Sequence, residues 1–217
     1  MLSIIFLGIG LIQLALVQTL LQRLERPISR YALLVSIVGV GLAFDNFVLA
    51  LGTVLGEGPV LKAINWPRFA IHALFTPTMM IATFGMLRQA GIGFAQSRRW
   101  HIFICSITTL MILLGSYIDI LRLNLVPESA EGVIRYRNDF VLMPGPPIPA
   151  VLTIVVAIIF GLILWRRAGW PWLLVGSALM FITAPLVNQG VIQNLGEIAF
   201  AAGLVSTLIH TERKQST

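Results

Sequence analysis

Seven stretches of this 217-residue chain are long and apolar enough to cross a lipid bilayer, and nothing else in the sequence constrains its fold as strongly. A spanning helix needs about 17–25 predominantly apolar residues. The stretches cover residues 2–22, 31–53, 67–87, 101–123, 148–165, 171–189 and 192–210. Backbone polar groups surrounded by lipid must be satisfied within the chain, so the expected fold is all-α. It is a polytopic transmembrane helical bundle of seven spans, with 1–217 forming one domain. The last stretch is the weakest, because Gln193, Asn194 and Glu197 make its first turns polar. A six-span alternative would leave it re-entrant or lying on the surface.

Composition closes off the soluble alternative. Apolar residues make up 57% of the chain and charged residues 11%, against about 25% charged in an ordinary soluble domain. The mean hydropathy is +0.90. A soluble core of this size could not be covered with so little polar surface. The first stretch has no basic residues before it and no small-x-small cleavage pattern after it, so it is expected to be a retained span and not a cleaved signal.

The net charge of +6 invites a nucleic-acid reading, but the basic residues fall in short clusters between the apolar runs. That is the pattern of orientation signals, not of a basic face interleaved with aromatics, and nucleic acid is excluded as a partner. Arg23, Arg26, Arg30, Arg88, Arg98, Arg99, Arg166, Arg167, Arg213 and Lys214 gather on one side, opposed there only by Glu25 and Glu212. The other side, with the span halves nearest it, holds five basic and seven acidic residues. The Arg-rich side is expected to be cytoplasmic. The N-terminus is then outside and the C-terminus cytoplasmic, in a plasma membrane of the bacterial inner-membrane type. The single cysteine, Cys105, lies in an apolar run, which rules out a disulfide framework and a thiolate metal site.

The connection over 124–147 is the one long loop and is expected to be extracytoplasmic. Loops of this length commonly act as lids. Residues 133–137 and 140–143, divided by Asn138-Asp139, fit a short hairpin over the outer mouth. A run of prolines from Pro144 to Pro149 then stiffens the entry to the fifth span. A faint internal repeat is also visible. The first and second spans, like the fifth and sixth, are joined through arginines and a proline (Pro27, Pro171), and residues 41–46 can be laid against 176–181. Three spans, one connecting span and three more would fit a small carrier built from parallel repeats.

Ionisable groups at membrane depth cost about 2.5–3.5 kcal/mol on insertion scales, so each needs a reason to be there. Asp45 and Asn46 lie in the second span, about two turns from its outer end. Arg68 and His72 are four residues apart in the third span and share a face, with Thr76 continuing the stripe. Tyr117, Asp119 and Arg122 fall near the outer end of the fourth. The sixth ends in Asn188 and Gln189, and the seventh begins with Asn194 and Glu197. All lie in the outward half of the expected bundle. His72, Asp45, Asp119 and Glu197 are the candidates for acid–base work. Arg68, Arg122, Asn46, Tyr117, Asn188 and Asn194 are the candidates for holding a substrate. A carboxylate beside the imidazole favours its protonated form, and desolvation opposes that. Pro77 and Pro185 would break their spans and make room for a cavity or a hinge.

Each of these residues also has a structural reading. Arg68 and Arg122 could snorkel to the interface, Glu197 could be a first-turn acid favoured by the helix dipole, and Asp45 could pair with Arg68 or His72 only to specify packing. His101 and His210 are expected at the cytoplasmic interface. No His-x-x-x-His or Glu-x-x-His pair is present, so no metal is assigned, although a His/Asp/Asp/Glu site remains open. The seventh stretch has no lysine for a retinal Schiff base, and there is no Gly-rich phosphate loop and no Gly-x-Ser-x-Gly elbow. No motif identifies a cofactor. Three functions fit the pattern. The first is a small intramembrane enzyme acting on a lipid or isoprenoid by acid–base or hydrolytic chemistry. The second is a non-catalytic subunit or assembly factor of a membrane complex, and the third a small ion-coupled carrier. Membrane lipids are the expected partners, and an oligomer or larger complex is compatible with all three.

Overall fold

A helix that is apolar on every side has to be surrounded by protein or by lipid. Met79–Gln89 (α4) resolves that choice in favour of protein: Met79, Met80, Ala82, Phe84, Met86 and Leu87 are all fully buried. In the computed structural model, which describes residues 2–24, 27–130, 132–143, 145–185 and 190–216, this helix stands among others. They are α1 (Leu2–Arg23), α2 (Arg30–Leu55), α3 (Pro59–Phe75), α5 (Arg98–Ser116), α6 (Ile148–Ala168), α7 (Trp172–Thr183) and α8 (Gly190–Ser216). α4 packs on α2, α5, α6 and α8. Large apolar side chains on the outer faces, among them Ile4, Val54, Leu113 and Ile182, are exposed and suited to lipid.

Six helical segments among the described residues are long and apolar enough to cross a membrane, which marks an integral membrane protein. α3 and α4 together form one of these, and α5 with the π-helical turn after it (Tyr117–Leu121) forms another. Apolar α7 is shorter, at 12 residues. The last stretch, which looked weakest in sequence, is a long helix despite its polar first turns.

Proline sets several of these boundaries. Pro59 occupies the first turn of α3, where its missing N–H costs nothing. The third segment therefore starts eight residues earlier than the expected 67, and Pro67 lies inside it. Pro77 breaks that segment as expected: α3 ends at Phe75, a 3-10 turn covers Thr76–Thr78, and α4 follows. α7 stops two residues before Pro185. Ser29 and Ser97 cap α2 and α5 by accepting the N–H groups of Ala32 and Arg99.

The long connection does hold a hairpin, but with a different pairing from the one expected. β1 (Leu125–Ala130) pairs antiparallel with β2 (Val133–Asn138), from Leu125 opposite Asn138 to Ala130 opposite Val133. The turn falls at Gly132, whose φ of 74° suits glycine, and not at Asn138-Asp139. Asn138 closes the base of the hairpin instead. Its Oδ1 accepts the N–H groups of Asn124 and Phe140, each at 3.1 Å. Its Nδ2 donates to the Ile118 carbonyl at 3.0 Å and to Asp119 Oδ1 at 3.1 Å.

The hairpin lies across one end of the bundle. Val133 packs with Phe6, Ile9 and Leu49, while Leu125 and Tyr136 pack with Val48 and Leu61. Gly52 makes this contact possible, because any Cβ there would run into the carbonyl oxygen of Ile134. The arginine-rich connections lie at the opposite end.

Candidate functional site

Beneath the hairpin, α1, α2, α3 and α8 each send a polar side chain inward. Asp45 of α2 is 6% exposed and pairs with Arg68 Nε of α3. Only 12% of the Arg68 side chain is exposed, so it does not snorkel to an interface. Its Nη1 donates to Asn65 Oδ1 at 2.5 Å, one turn earlier on α3. The same oxygen accepts the Tyr136 N–H of β2 at 3.4 Å, which ties the ion pair to the hairpin backbone. Asn65 in turn donates to the Leu61 carbonyl at 2.7 Å. Residues 65, 68 and 72 therefore form one stripe of α3, which Thr76 continues in the turn that follows.

His72 lies one turn further along that stripe. Its Nε2 is 3.8 Å from Asp45 Oδ1, and its Nδ1 is 3.3 Å from Thr76 Oγ1. The imidazole therefore stands between a carboxylate and a hydroxyl, and 38% of its side chain is exposed, against 8% for Asp45. The histidine is the more exposed member of the pair.

Glu197 of α8 completes the group. It is 7% exposed, and it interacts electrostatically with Asp45, His72 and Arg68. Glu197 is the eighth residue of its helix, well past the first turn, so the helix dipole does not explain it. Its Oε2 is buried and has no hydrogen-bond partner. Gln13 of α1 faces it, fully buried, with Nε2 turned toward the carboxylate but beyond ordinary hydrogen-bond geometry. The other end of Gln13 is used: its Oε1 accepts from Asn46 Nδ2 at 3.1 Å. Asn46 also donates to the Leu42 carbonyl at 3.0 Å, and its Oδ1 is a third buried orphan. Buried polar atoms are normally paired; here Gln13 Nε2 and the Glu197 carboxylate lie against each other without closing an ordinary hydrogen bond, and Asn46 Oδ1 is left over.

The remaining expected residues divide. Asp119, on the π-helical turn, interacts electrostatically with His72 and accepts from Asn138 Nδ2, so it lies on the rim of the cluster. π-turns often accompany functional sites. Arg122 is exposed over the Phe140 ring at 4.8 Å, and Tyr117 meets the same ring edge-on; neither is brought to Asp45. Asn194 is buried but donates to the Gly190 carbonyl within its own helix at 2.8 Å. Asn188 lies outside the described residues. Toward the arginine-rich end, His101 packs on Phe84 and His210 stacks on Trp170. No three His, Cys, Asp or Glu side chains among the described residues gather into a group that could hold a metal ion.

Gln13 and Asn65 are the two participants that sequence reasoning missed. A lone amide in an apolar run carries a weak signal, but the 65/68/72/76 spacing was available once the helix was started at Pro59. Comparison of the chain with protein-family models, with curated proteins and with solved structures gave no match.

Proposed function

We propose that this seven-span membrane protein, with its hairpin end outward, is an intramembrane enzyme acting by acid–base or hydrolytic chemistry on a lipid or isoprenoid substrate in the outer leaflet. The observation that carries this reading is the line from the Thr76 hydroxyl through the His72 imidazole to the Asp45 carboxylate, open at the imidazole. In this reading Nδ1 takes the proton of a hydroxyl, from Thr76 or from water, as that oxygen adds to the substrate ester. The same proton then passes to the departing alcohol; where Thr76 is the attacking group, a water deprotonated by the same nitrogen then cleaves the acyl-threonine, releasing the acid and restoring the hydroxyl. Asp45 holds the ring in orientation and compensates the imidazolium charge as it forms, as the acid of a nucleophile–base–acid set does. Arg68, fixed by Asn65, holds Asp45. The distances are longer than those of a working hydrogen-bonded set, and such contacts commonly tighten when substrate binds.

The buried Glu197 carboxylate, met only loosely by Gln13, and the unpartnered Asn46 Oδ1 favour a second reading, a small ion-coupled carrier in which those groups receive a cation or a proton. One comparison separates the two. Purified protein in lipid nanodiscs is offered ester-linked phospholipids and isoprenyl phosphates, and release of product is followed. Turnover is expected, with His72→Ala and Asp45→Asn lowering it about a hundredfold or more. Absence of turnover across the panel, or full complementation of a deletion strain by both variants, overturns the enzyme. Cation- or proton-driven flux in liposomes that is lost in Glu197→Gln, without turnover, establishes the carrier instead.

A further inference from the structure

Two asparagines join the hairpin to the charged groups around His72. Asn65 lies fully buried on α3, and its Oδ1 stands between the Tyr136 N–H of β2 and Arg68 Nη1. Arg68 reaches Asp45 Oδ1 through Nε, and that same oxygen is the one 3.8 Å from His72 Nε2. The guanidinium and the imidazole therefore share one carboxylate oxygen, and a shift of either changes what the other meets. Asn138 makes the second link. Its Nδ2 donates to Asp119, which interacts electrostatically with His72 from the π-helical turn. The Asn138 amide has nothing to spare, since both N–H groups and both lone pairs are engaged. Of the four charged groups that face His72, these links reach Asp45, Arg68 and Asp119; Glu197 on α8 is the fourth.

Both links leave β2 from residues two apart, which lie on the same side of a strand, so lifting the strand there breaks both. A two-stranded hairpin is marginally stable alone, and this one is held by the bundle beneath it. Besides its apolar contacts, Tyr136 donates its hydroxyl to the Gly58 carbonyl at 3.3 Å. Elements docked in this way open at a lower free energy than the whole molecule. With β2 lifted, Asn65 no longer ties Arg68 to the hairpin, and Asp119 loses its Asn138 donor.

We propose that Asn65 and Asn138 are positioning residues through which the seated hairpin sets the His72 imidazole, and that lifting the hairpin switches the site off. The switching of turnover rests on the acid–base reading above, whereas the positioning of the ring does not.

NMR of the full-length protein in lipid nanodiscs, with isotope-labelled histidine, tests the positioning. His101 and His210, the other two histidines, serve as references. Asn65→Leu and Asn138→Leu should each move and broaden the His72 ring signals while the references stay in place. Gly52→Ala, whose added methyl group meets Ile134 and Val133 of the hairpin, should move them too. It should add nothing further once both asparagines are replaced. A Gly52→Ala shift of equal size in the wild type and in that double variant overturns the role of the asparagines. If Asn65→Leu does not fold, the other two variants decide, and His72 signals unmoved by both overturn the proposal. In the lipid turnover assay Gly52→Ala should lower the rate about tenfold or more through misplacement alone. Turnover unchanged by Gly52→Ala overturns the switch and keeps the enzyme. Absence of turnover in the wild type removes the enzyme and the switch together, and the histidine signals still decide the positioning.

Discussion

Asp45 and Arg68 depend on one another. Each is buried, and each costs several kcal/mol to desolvate, which the pair offsets only while both members are present. Asp45→Asn should therefore destabilise the protein by about 3–5 kcal/mol, because it leaves a guanidinium buried without its counter-charge. Adding Arg68→Met should restore most of that loss. Unfolding midpoints in detergent check both outcomes, and a single variant as stable as the wild type would sink the account. Residues of this kind were legible in sequence because an ionisable group deep in an apolar run stands out whatever its neighbours. Their pairing was left open among Asp45, Arg68 and His72, and only the packing of α2 on α3 decided it. Gln13 and Asn65 were illegible for a related reason. Neutral amides carry a small penalty, and their significance lies in what they face: Asn65 matters because one oxygen reaches both Arg68 and the backbone of β2. That second partner is 71 residues away in the chain, beyond the reach of any local pattern.

The hairpin is where local reading went furthest astray, and the reason is physical. A strand over 133–137 was expected, but which neighbour it pairs with depends on where the chain can turn. Asn138-Asp139 looked suited to a turn, whereas Gly132 supplies the left-handed conformation and Asn138 spends all its hydrogen bonds closing the base. Pro127 lies within β1, opposite Tyr136, where an edge strand tolerates it. Docking of the hairpin depends on Gly52. Gly52→Ala sets a methyl group against the backbone oxygen of Ile134, and backbone cannot swing aside as a side chain can. Overpacking of this sort costs about 1–3 kcal/mol. Amides of residues 125–138 should then exchange at least tenfold faster while α2 and α4 keep their protection. Unchanged exchange in the hairpin would mean that it is not seated by this contact.

Across the whole molecule, the all-helical membrane architecture followed from the apolar runs alone, and six segments long enough to span support it. The number of spans and their direction belong to the proposal and have a direct test. In a Cys105→Ser background, Ser3→Cys and Asp139→Cys should react with a membrane-impermeant maleimide on intact cells. Gln96→Cys and Arg213→Cys should react only after permeabilisation. Labelling of residues 3 and 213 from the same side would mean an even number of spans and would overturn the topology. The third span also links the bundle to its surroundings. At 31 residues from Pro59 to Gln89 it exceeds the roughly 20 that a bilayer of ordinary thickness requires, and it is jointed at Thr76–Thr78. A surplus of length is taken up by tilting or kinking, and a helix with a joint bends there first. Thicker or thinner membranes would change the angle at that joint, one turn from His72. The imidazole then takes its position partly from the lipid around the protein, and reconstitution in bilayers of different acyl length becomes a mechanical control on the site.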